Sequence, residues 1–360
     1  MKKLVLFLSL SFSGLTNSMT FIDFCKGTIG TDVTLDQAET VAMLKLALSP
    51  KAPWPVKIPT PAVYGRHGEI VKKMDTLSFK GYAVPTTSKL NYKFNNINEL
   101  RSYLRSIFND KSKCNRMNEK FESMEALQLM SGTFSLKNGD FKRYQLKDIT
   151  PLEGAQNLKY LIINQNSLTD VSVLGKLKNL QFIKMAKNKV SSLNFVKKLP
   201  KLISLDVSDN AIGDISPLAK ASQLEELWLS TQRPNEKALH SPNPWRKKLE
   251  NISPLKGLKN LYLLVAGNNS IEDISSVRNL RKLNILSFKN NLVKDITPLE
   301  NLYSLRNLYL SGNDIEEVSA IKDMKNLTNL SISNNKIKDC SIILELPKMK
   351  KLEYHKNPCL

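Results

Sequence analysis

Acid–base chemistry has one candidate site in this sequence, the segment Tyr64–Glu69, which contains His67 between two glycines. Imidazole titrates near neutral pH, so His67 could act as a general base that is oriented by the Glu69 carboxylate. A polar loop after a run of prolines explains the same residues equally well. The chain has no nucleophile-elbow, HExxH or phosphate-loop motif. We therefore expect a protein that is not an enzyme and that uses no cofactor.

Metal binding also lacks a suitable set of side chains. The only histidines are His67, His240 and His355, and no Cys-x-x-Cys pair occurs, although most zinc sites are built from such residues. Aspartate recurs at one position of a repeat, where its carboxylate can cap a tight turn. We interpret these aspartates as turn caps and expect no metal site. They are Asp170, Asp214, Asp273 and Asp295.

A 22-residue repeat organises the second half of the chain. The segment from Leu158 to Asn166 has the form L-x-x-L-x-L-x-x-N, and the same form recurs along the chain. Its alternating apolar residues predict a short strand with one face turned inward. One unit cannot bury that face alone, so the units must stack. The asparagines that end the units are Asn166, Asn188, Asn210, Asn269, Asn291, Asn313, Asn335 and Asn357.

This pattern resembles the leucine-rich repeat of internalins and of SDS22-like phosphatase regulators over about residues 136–360. The resemblance implies an α/β-type solenoid, a right-handed leucine-rich-repeat superhelix with short parallel strands on its concave side. Two units depart from the pattern. The unit with Leu224–Leu229 has the strand but loses the asparagine, and a degenerate first unit, starting near Leu136, places Tyr144 in the asparagine position.

The region before the repeats divides into two parts. Residues 1–18 have the basic start, short apolar stretch and small polar end of a secretory signal peptide. Residues 19–125 predict a small, mostly helical flanking domain that covers the first coil, with helices over about 35–48 and from Asn96 to Phe108. A separate functional module is the alternative. The solenoid is assigned to residues 126–360.

Four cysteines in an exported chain favour two disulfides. Cys25 and Cys114 both precede the repeats, whereas Cys340 and Cys359 lie in the last two repeats. By repeat register Cys359 stacks on Ile337, and Cys340 follows Ile337 by three residues. We predict the pairs Cys25–Cys114 and Cys340–Cys359, one at each end of the solenoid. Buried free thiols are the alternative.

One repeat carries a 15-residue insertion within residues 230–248. The inserted segment contains three prolines, and its Trp245 is followed by Arg246, Lys247 and Lys248. Insertions in solenoids often lie at the binding face, and an exposed tryptophan beside cations is typical of an interface hot spot. The alternative is a tolerated loop whose tryptophan packs back on the coil.

The side chains that point outward from the strands define the concave face. They are the third, fifth and seventh residues of each repeat, here named the first, second and third columns. Many are apolar where water would be expected, which usually marks an interface, although solenoids also tolerate scattered aromatic residues. Asp206 and Glu226 predict an acidic centre for a cation of the partner, and Trp228 is the predicted middle of the site. The predicted partner-binding residues are Tyr160, Ile162, Phe182, Asp206, Glu226, Trp228, Trp245, Leu263, Val265, Ile285 and Tyr309.

The formal net charge of +20 favours anionic partners such as cell-surface polymers or acidic proteins. Lysines in surface loops can equally serve solubility. Basic and aromatic residues do not alternate as in a nucleic-acid platform, so we do not expect nucleic acid. No later segment is apolar enough to span a membrane.

Together these features predict an exported bacterial protein, periplasmic or secreted, that binds a protein ligand of unknown identity through its concave face. The alternative is an envelope-structural protein that holds anionic cell-surface polymers on its basic surface. No wall-binding extension follows Cys359, so the resemblance to internalins gives no support for surface anchoring.

Overall fold

The computed structural model defines residues 40–41, 56–57, 78–79, 81–83, 111–129, 132–135, 141–232, 249–347 and 349–360. Thr40 and Val41 are helical and lie within the helix predicted over 35–48. The predicted signal peptide, the helix predicted from Asn96 to Phe108, Cys25 and Trp245 lie outside the described residues. His67 and Glu69 also lie outside them.

Short strands dominate the described part of the chain. Eleven of them, β3, β4 and β7 to β15, form one parallel sheet in chain order, whereas β1 pairs with β2 and β5 with β6 in antiparallel fashion. The strands are β1 (Val56–Lys57), β2 (Ser78–Phe79), β3 (Gly81–Ala83), β4 (Ala126–Gln128), β5 (Gly132–Ser135), β6 (Phe141–Tyr144), β7 (Tyr160–Ile162), β8 (Phe182–Lys184), β9 (Ser204–Asp206), β10 (Glu226–Trp228), β11 (Leu263–Val265), β12 (Ile285–Ser287), β13 (Asn307–Tyr309), β14 (Asn329–Ser331) and β15 (Lys351–Glu353).

Each coil returns on the opposite side through a short 3-10 helix. These are Thr150–Gly154, Ser172–Lys176, Asn194–Lys198, Ser216–Lys220, Ser253–Gly257, Ser275–Val277, Thr297–Leu299 and Ser319–Ile321. Two α-helices, α1 (Lys111–Ser123) and α2 (Ser341–Glu345), lie near the two ends of the described solenoid. None of the described helices has the length and apolar character of a bilayer span.

The core lies between the strands and the return segments. The middle residue of every parallel strand from β4 to β14 is leucine or isoleucine, and each is at most 1% exposed. These residues join the apolar residues of the 3-10 helices in one continuous cluster. Burial of one such side chain is worth about 1.5–3 kcal/mol, so the repeat pattern itself supplies the main stabilisation.

A left-handed residue follows each strand at the eighth position of the repeat. Its φ lies between 52° and 73°, a region that favours glycine and asparagine. Thr231 is the β-branched residue among them, and its side chain is strained at φ 58°. The residues are Gln165, Lys187, Asp209, Thr231, Asn268, Asn290, Gly312, Asn334 and Lys356.

The asparagine of each repeat bonds to two coils at once. Asn188 accepts a hydrogen bond from the Leu168 N–H through Oδ1 at 3.1 Å. Its Nδ2 donates to the carbonyls of Ile163 and Met185, both at 2.9 Å. Asn210 repeats the arrangement one coil further on. Such bonds satisfy buried backbone groups that would otherwise lose their water partners.

The unit at β10 retains this ladder with a glutamine. Gln232 occupies the asparagine position: its Nε2 donates to the Val207 carbonyl at 2.8 Å, and its Oε1 accepts from the Ile212 N–H at 3.2 Å. The asparagine is absent from this unit, as the sequence indicates, but the ladder of side-chain bonds is retained. A glutamine side chain carries the same amide, so it supplies the same donor and acceptor.

The repeated aspartates cap the turns before the 3-10 helices, as predicted. In each case Oδ1 accepts the backbone N–H two residues later, at 2.7–2.8 Å. Asn251 does the same at one repeat. The aspartates thus form Asx turns, and their carboxylates have a structural role.

The first coil differs from the sequence prediction. Tyr144 lies in β6, which pairs antiparallel with β5, and so it does not occupy an asparagine position. The strand that precedes β7 in the sheet is β4, in which Leu127 is buried, and Met124 and Leu129 on either side of the strand are buried as well. Phe141 and Tyr144 have the apolar spacing of a repeat strand, but that spacing also suits a strand of a hairpin.

Residues from the flanking region close this end of the core. Helix α1 contributes Phe121, Val41 is fully buried in the same cluster, and the Thr40 hydroxyl donates to the Asp148 carbonyl. Strand β3 pairs parallel with β4, so the region before residue 126 also adds a strand to the sheet. Cys114 lies within α1. Its predicted bond to Cys25 falls outside the described residues.

The other end of the solenoid carries a disulfide between Cys340 and Cys359, the pair that repeat register predicts. The Cys359 N–H also donates to the Ile337 carbonyl at 3.0 Å, so the strand stacking that the sequence implied is present. The bond ties the segment after β15 to the preceding coil.

Candidate functional site

Parallel pairing brings equivalent residues of successive repeats together on the concave face. Glu226 lies beside Ser204 and Leu263, and Trp228 lies beside Asp206 and Val265. Neighbouring strands are about 4.8 Å apart, so side chains of one column touch. The columns divide into two apolar clusters, an acidic centre between them, and a polar region toward β15.

The first apolar cluster is buried, in contrast to the sequence prediction. Tyr160 and Phe182 in the first column are 1% and 4% exposed. Their ring centroids are 5.7 Å apart, and they pack with Ala126, Ile162 and Ile203. Aromatic rings in adjacent strands cover each other, so most of this apolar surface is closed to water. Ile162, in the second column, remains half-buried.

The second apolar cluster has a buried floor and an accessible rim. Leu263 and Ile285 in the first column are buried with Tyr262, the residue that precedes β11. Trp228, Val265 and Tyr309 pack against them from the second column and are half-buried. The floor fixes the rim side chains in place, while the rim offers aromatic and aliphatic surface to a ligand.

A cation completes the rim of this cluster. Lys289 Nζ lies 5.2 Å from the centre of the Tyr309 ring, a distance typical of a cation–π contact. Lys289 belongs to the third column, next to the second along its strand. The contact restricts both side chains and makes this end of the rim basic.

The acidic centre lies between the two apolar clusters. Glu226 is 4% exposed, whereas Asp206, diagonally next to it in the second column, is half-buried. Ser204 fills the first column between Phe182 and Glu226, and its buried Oγ has no hydrogen-bond partner among the described residues. Asp206 is therefore the more accessible of the two carboxylates.

Burial changes the acidity of the groups around this centre. Desolvation raises the pKa of Asp206 above its ordinary value, and the hydrogen bond from the Ser208 N–H to Oδ1 at 3.0 Å opposes that rise. Desolvation also raises the pKa of the Tyr160 hydroxyl, and the negative charge of Glu226 raises it further. Water thus solvates both groups poorly, Asp206 in the second column and Tyr160 in the first.

Toward β15 the concave face becomes polar and its side chains bond to each other. Ser331 Oγ donates to Glu353 Oε2 at 2.7 Å, and Ser311 Oγ lies 2.7 Å from Ser331 Oγ. Glu353 also pairs with Lys351 at 2.8 Å. The hydrogen bonds from Lys351 and Ser331 lower the pKa of Glu353 to about 2. These groups satisfy one another and form a hydrated edge to the face.

A groove of about 430 Å³ lies away from the concave face, between two return segments. It contains several carboxylates, but Lys336 pairs with Asp314 at 2.6 Å and Lys338 pairs with Glu316 at 2.8 Å. Asp314 and Glu316 are thus held in surface ion pairs between coils, and Asp295 caps a turn. The groove is lined by Lys294, Asp295, Ile296, Thr297, Asp314, Glu316, Glu317, Ser319 and Ala320.

Comparisons with known proteins identify the repeats. A family model described as leucine-rich repeats (2 copies) matches residues 156–198. The chain is similar to the crystal structure of the internalin InlF from Listeria monocytogenes, with 27% identity, a TM-score of 0.51, and coverage of 67% of this chain and 69% of that chain. The protein is a leucine-rich-repeat protein of the internalin type.

Two further solved structures are similar to this chain. The internalin InlC2 from the same bacterium is 26% identical, with a TM-score of 0.48, over 57% of this chain and 82% of that chain. The ectodomain of the receptor kinase GASSHO1/SCHENGEN3 from Arabidopsis thaliana shares the fold at 19% identity and a TM-score of 0.54, over 67% of this chain and 28% of that chain. Comparison with curated protein sequences gives no match. The leucine-rich repeats support protein–protein binding as the general function of the chain.

Sequence reasoning placed the outward residues in the right columns, but it did not separate buried from accessible ones. Trp228, Val265 and Tyr309 come together, whereas Tyr160 and Phe182 form a distinct cluster beyond the acidic centre. Two contributors were missed, Ile203 and Tyr262, because they precede their strands and so lie outside the three columns. Their signal was an apolar residue in the second repeat position, which other repeats fill with polar residues such as Lys159 and Gln181.

Proposed function

We propose that the protein is exported and binds a protein ligand on its concave face, with Trp228 at the centre of the contact. The observation that carries this proposal is the accessible rim formed by Trp228, Val265 and Tyr309 above a buried floor. Aromatic side chains held in a fixed position contribute strongly to interfaces, because little conformational entropy is lost on binding.

The neighbouring Asp206 gives the ligand a second feature. Its carboxylate is half-buried beside Trp228 in an otherwise basic protein. A lysine or arginine of the ligand would pair with it, while an apolar side chain covers Trp228. The ligand would thus present a cation next to an apolar group.

The architecture of a relative is consistent with this use of the repeats. The Arabidopsis ectodomain that shares the fold was solved in complex with Casparian strip integrity factor 2. That protein therefore shows that a leucine-rich-repeat ectodomain can hold such a factor. For the present chain the ligand is defined only by the chemistry of Trp228, Tyr309 and Asp206.

Export is supported by two features of the chain. Residues 1–18 follow the pattern of a secretory signal. The Cys340–Cys359 disulfide is of a kind that persists outside the reducing cytosol. A direct check is the position of the mature N-terminus in protein recovered from the medium or envelope, which should lie close to residue 19.

The test compares three forms of the full chain: wild type, Trp228→Ala/Tyr309→Ala, and the control Tyr303→Ala. Tyr303 is 53% exposed and lies outside the three columns, so it matches the loss of aromatic surface. Each form is used to capture proteins from envelope and host-cell extracts, with quantitative mass spectrometry. We expect ligands enriched by wild type and control, and reduced at least about 30-fold with the double variant, the effect of losing a hot spot.

Equal recovery by all three forms would show that the concave face is not the binding site. The alternative function, binding of anionic polymers, rests on the charge of +20 and on exposed lysines such as Lys176, Lys197 and Lys198. Binding to anionic wall or envelope polymers that salt abolishes, and that the double variant retains, would favour this alternative.

A further inference from the structure

Strand β15 is the edge strand at the end of the sheet opposite β3, and no other described strand pairs with its outer edge. On its inner edge the Lys351 N–H donates to the Thr328 carbonyl at 3.2 Å, and the Glu353 carbonyl accepts from the Ile332 N–H at 2.7 Å. Backbone groups of successive strand residues point to opposite edges. The N–H and C=O of Leu352 therefore face away from the sheet.

The Leu352 side chain is also incompletely covered. Leu352 pairs with Leu330 and occupies the inward position that is at most 1% exposed in strands β4 to β14. At β15 this leucine is 36% exposed, and among the described residues no further coil packs on it. The end of the solenoid thus presents apolar surface together with an open strand edge.

The charges on β15 are arranged so that the strand is complementary to itself. Lys351 and Glu353 flank Leu352, point to the concave face, and pair with each other at 2.8 Å. If a second copy of the strand ran antiparallel about a two-fold axis at Leu352, each Lys351 would lie opposite the Glu353 of the other copy. Cα atoms of opposite residues that exchange no backbone hydrogen bonds are about 4.5 Å apart, so the opposite charges would lie close together. The four charges would alternate in sign across the two strands.

We propose that the protein forms a two-fold symmetric dimer through the edge of β15. Leu352 of each copy exchanges both backbone hydrogen bonds with Leu352 of the other, and the two leucine side chains cover each other. The parallel sheet of one copy then continues into that of the second. A two-fold interface of this kind uses the same surface on both partners and closes after two copies.

Charges on an edge strand can also prevent association with other strands. Measurements of the oligomeric state distinguish that role from dimer formation. The mass of the full chain is measured by sedimentation equilibrium over a range of concentrations, for wild type, Lys351→Glu, and the double variant Lys351→Glu/Glu353→Lys. We expect wild type to approach twice the 40.7 kDa chain mass as concentration rises. Lys351→Glu places like charges opposite each other and should raise the dimer dissociation constant at least tenfold. The double variant exchanges the two charges and should restore the dimer.

Mixing provides a sharper readout. Lys351→Glu has two acidic residues on β15, and Glu353→Lys has two basic residues, so each should dimerise poorly alone and together they should form a heterodimer. Lys325→Glu, which makes the same charge change at an exposed site on the preceding coil, is the control and should dimerise like wild type. Circular dichroism checks that every variant is folded. A wild-type monomer at all concentrations, or a dimer that all charge variants retain, would overturn the proposal.

Discussion

The backbone N–H of Gln232 donates a hydrogen bond to Oδ1 of Asn269 at 2.9 Å, although the two residues are 37 positions apart. Asn269 also donates through Nδ2 to the Leu229 carbonyl at 2.9 Å and to the Ala266 carbonyl at 3.1 Å. The side-chain ladder thus continues past residues 233–248, although Oδ1 of Asn269 accepts from the ladder residue Gln232 itself and not from a residue two positions later, as in the coil of Asn313. The two flanking coils are joined directly, which lets the repeat accept the insertion.

Asn269→Ala should lower the free energy of unfolding by about 2–4 kcal/mol, because it leaves several buried backbone groups without partners. Urea denaturation followed by circular dichroism measures the change. Asn301→Ala, at an exposed asparagine, is the control and should lie within about 0.5 kcal/mol of wild type. A loss for Asn269→Ala no larger than that of the control would contradict the role of the ladder.

Gly312→Ala should destabilise the protein, because Gly312 is both left-handed and tightly enclosed. Its φ is +73°, and a Cβ atom there would lie 2.2 Å from Oδ1 of Asn290. Left-handed backbone and the clash together should cost about 1–3 kcal/mol. Gly257→Ala is the matched control, since a Cβ at Gly257 meets nothing within 4 Å. The two thermal melting curves should therefore shift differently, and equal shifts would exclude this explanation.

Asp206→Asn should raise the melting temperature at neutral pH. Burial raises the pKa of Asp206 above 3.8 in the folded state, so its ionised form opposes folding at high pH, and protonation removes that cost. The melting temperature of the variant should therefore approach that of wild type as pH falls through the folded-state pKa toward 3.8. The amide of the variant would retain an oxygen for the Ser208 N–H. Asp323→Asn, at an exposed position, should show no such trend. An advantage that is independent of pH would argue against desolvation as the cause.

Glu353→Gln should show the opposite dependence. The pKa of Glu353 is lowered from 4.5 to about 2 by its bonds to Lys351 and Ser331. A lowered pKa stabilises the folded state above the unfolded value, and this contribution disappears as pH falls through the folded value. Wild type should melt above Glu353→Gln at neutral pH, and the difference should vanish between pH 4.5 and about 2. Glu300→Gln, at an exposed position, is the control. If wild type and Glu353→Gln differed in melting temperature by the same amount at pH 4.5 and at about pH 2, the lowered pKa would not be the cause.

The period of 22 residues was enough to predict the strand register, because inward leucines such as Leu161 and Leu205 must lie side by side to be buried. It was not enough to predict exposure on the concave face. Burial of Tyr160 depends on Phe182 in the next strand and on Ala126 in the strand before. These neighbours follow from the three-dimensional pairing of separate segments, which a local pattern does not contain.

The first coil was assigned incorrectly for a related reason. Phe141 and Tyr144 fit the apolar spacing of a repeat, and only long-range pairing decides that Ala126–Gln128 takes the place next to β7. Strand Gly81–Ala83 has no repeat motif at all, yet it extends the sheet beyond β4. Where the repeat becomes irregular, the sequence carries too little local information to choose between pairings.

In the regular coils, the bonds of the asparagine ladder join residues at the same separations along the chain. In a regular coil such as that of Asn313, Oδ1 bonds to the N–H 20 residues earlier and Nδ2 bonds to the carbonyl 25 residues earlier. Duplication or deletion of one whole 22-residue unit in the gene would rebuild every one of these bonds at the new junction. The number of coils can therefore change in a single recombination event, whereas replacing one asparagine disturbs two coils at once.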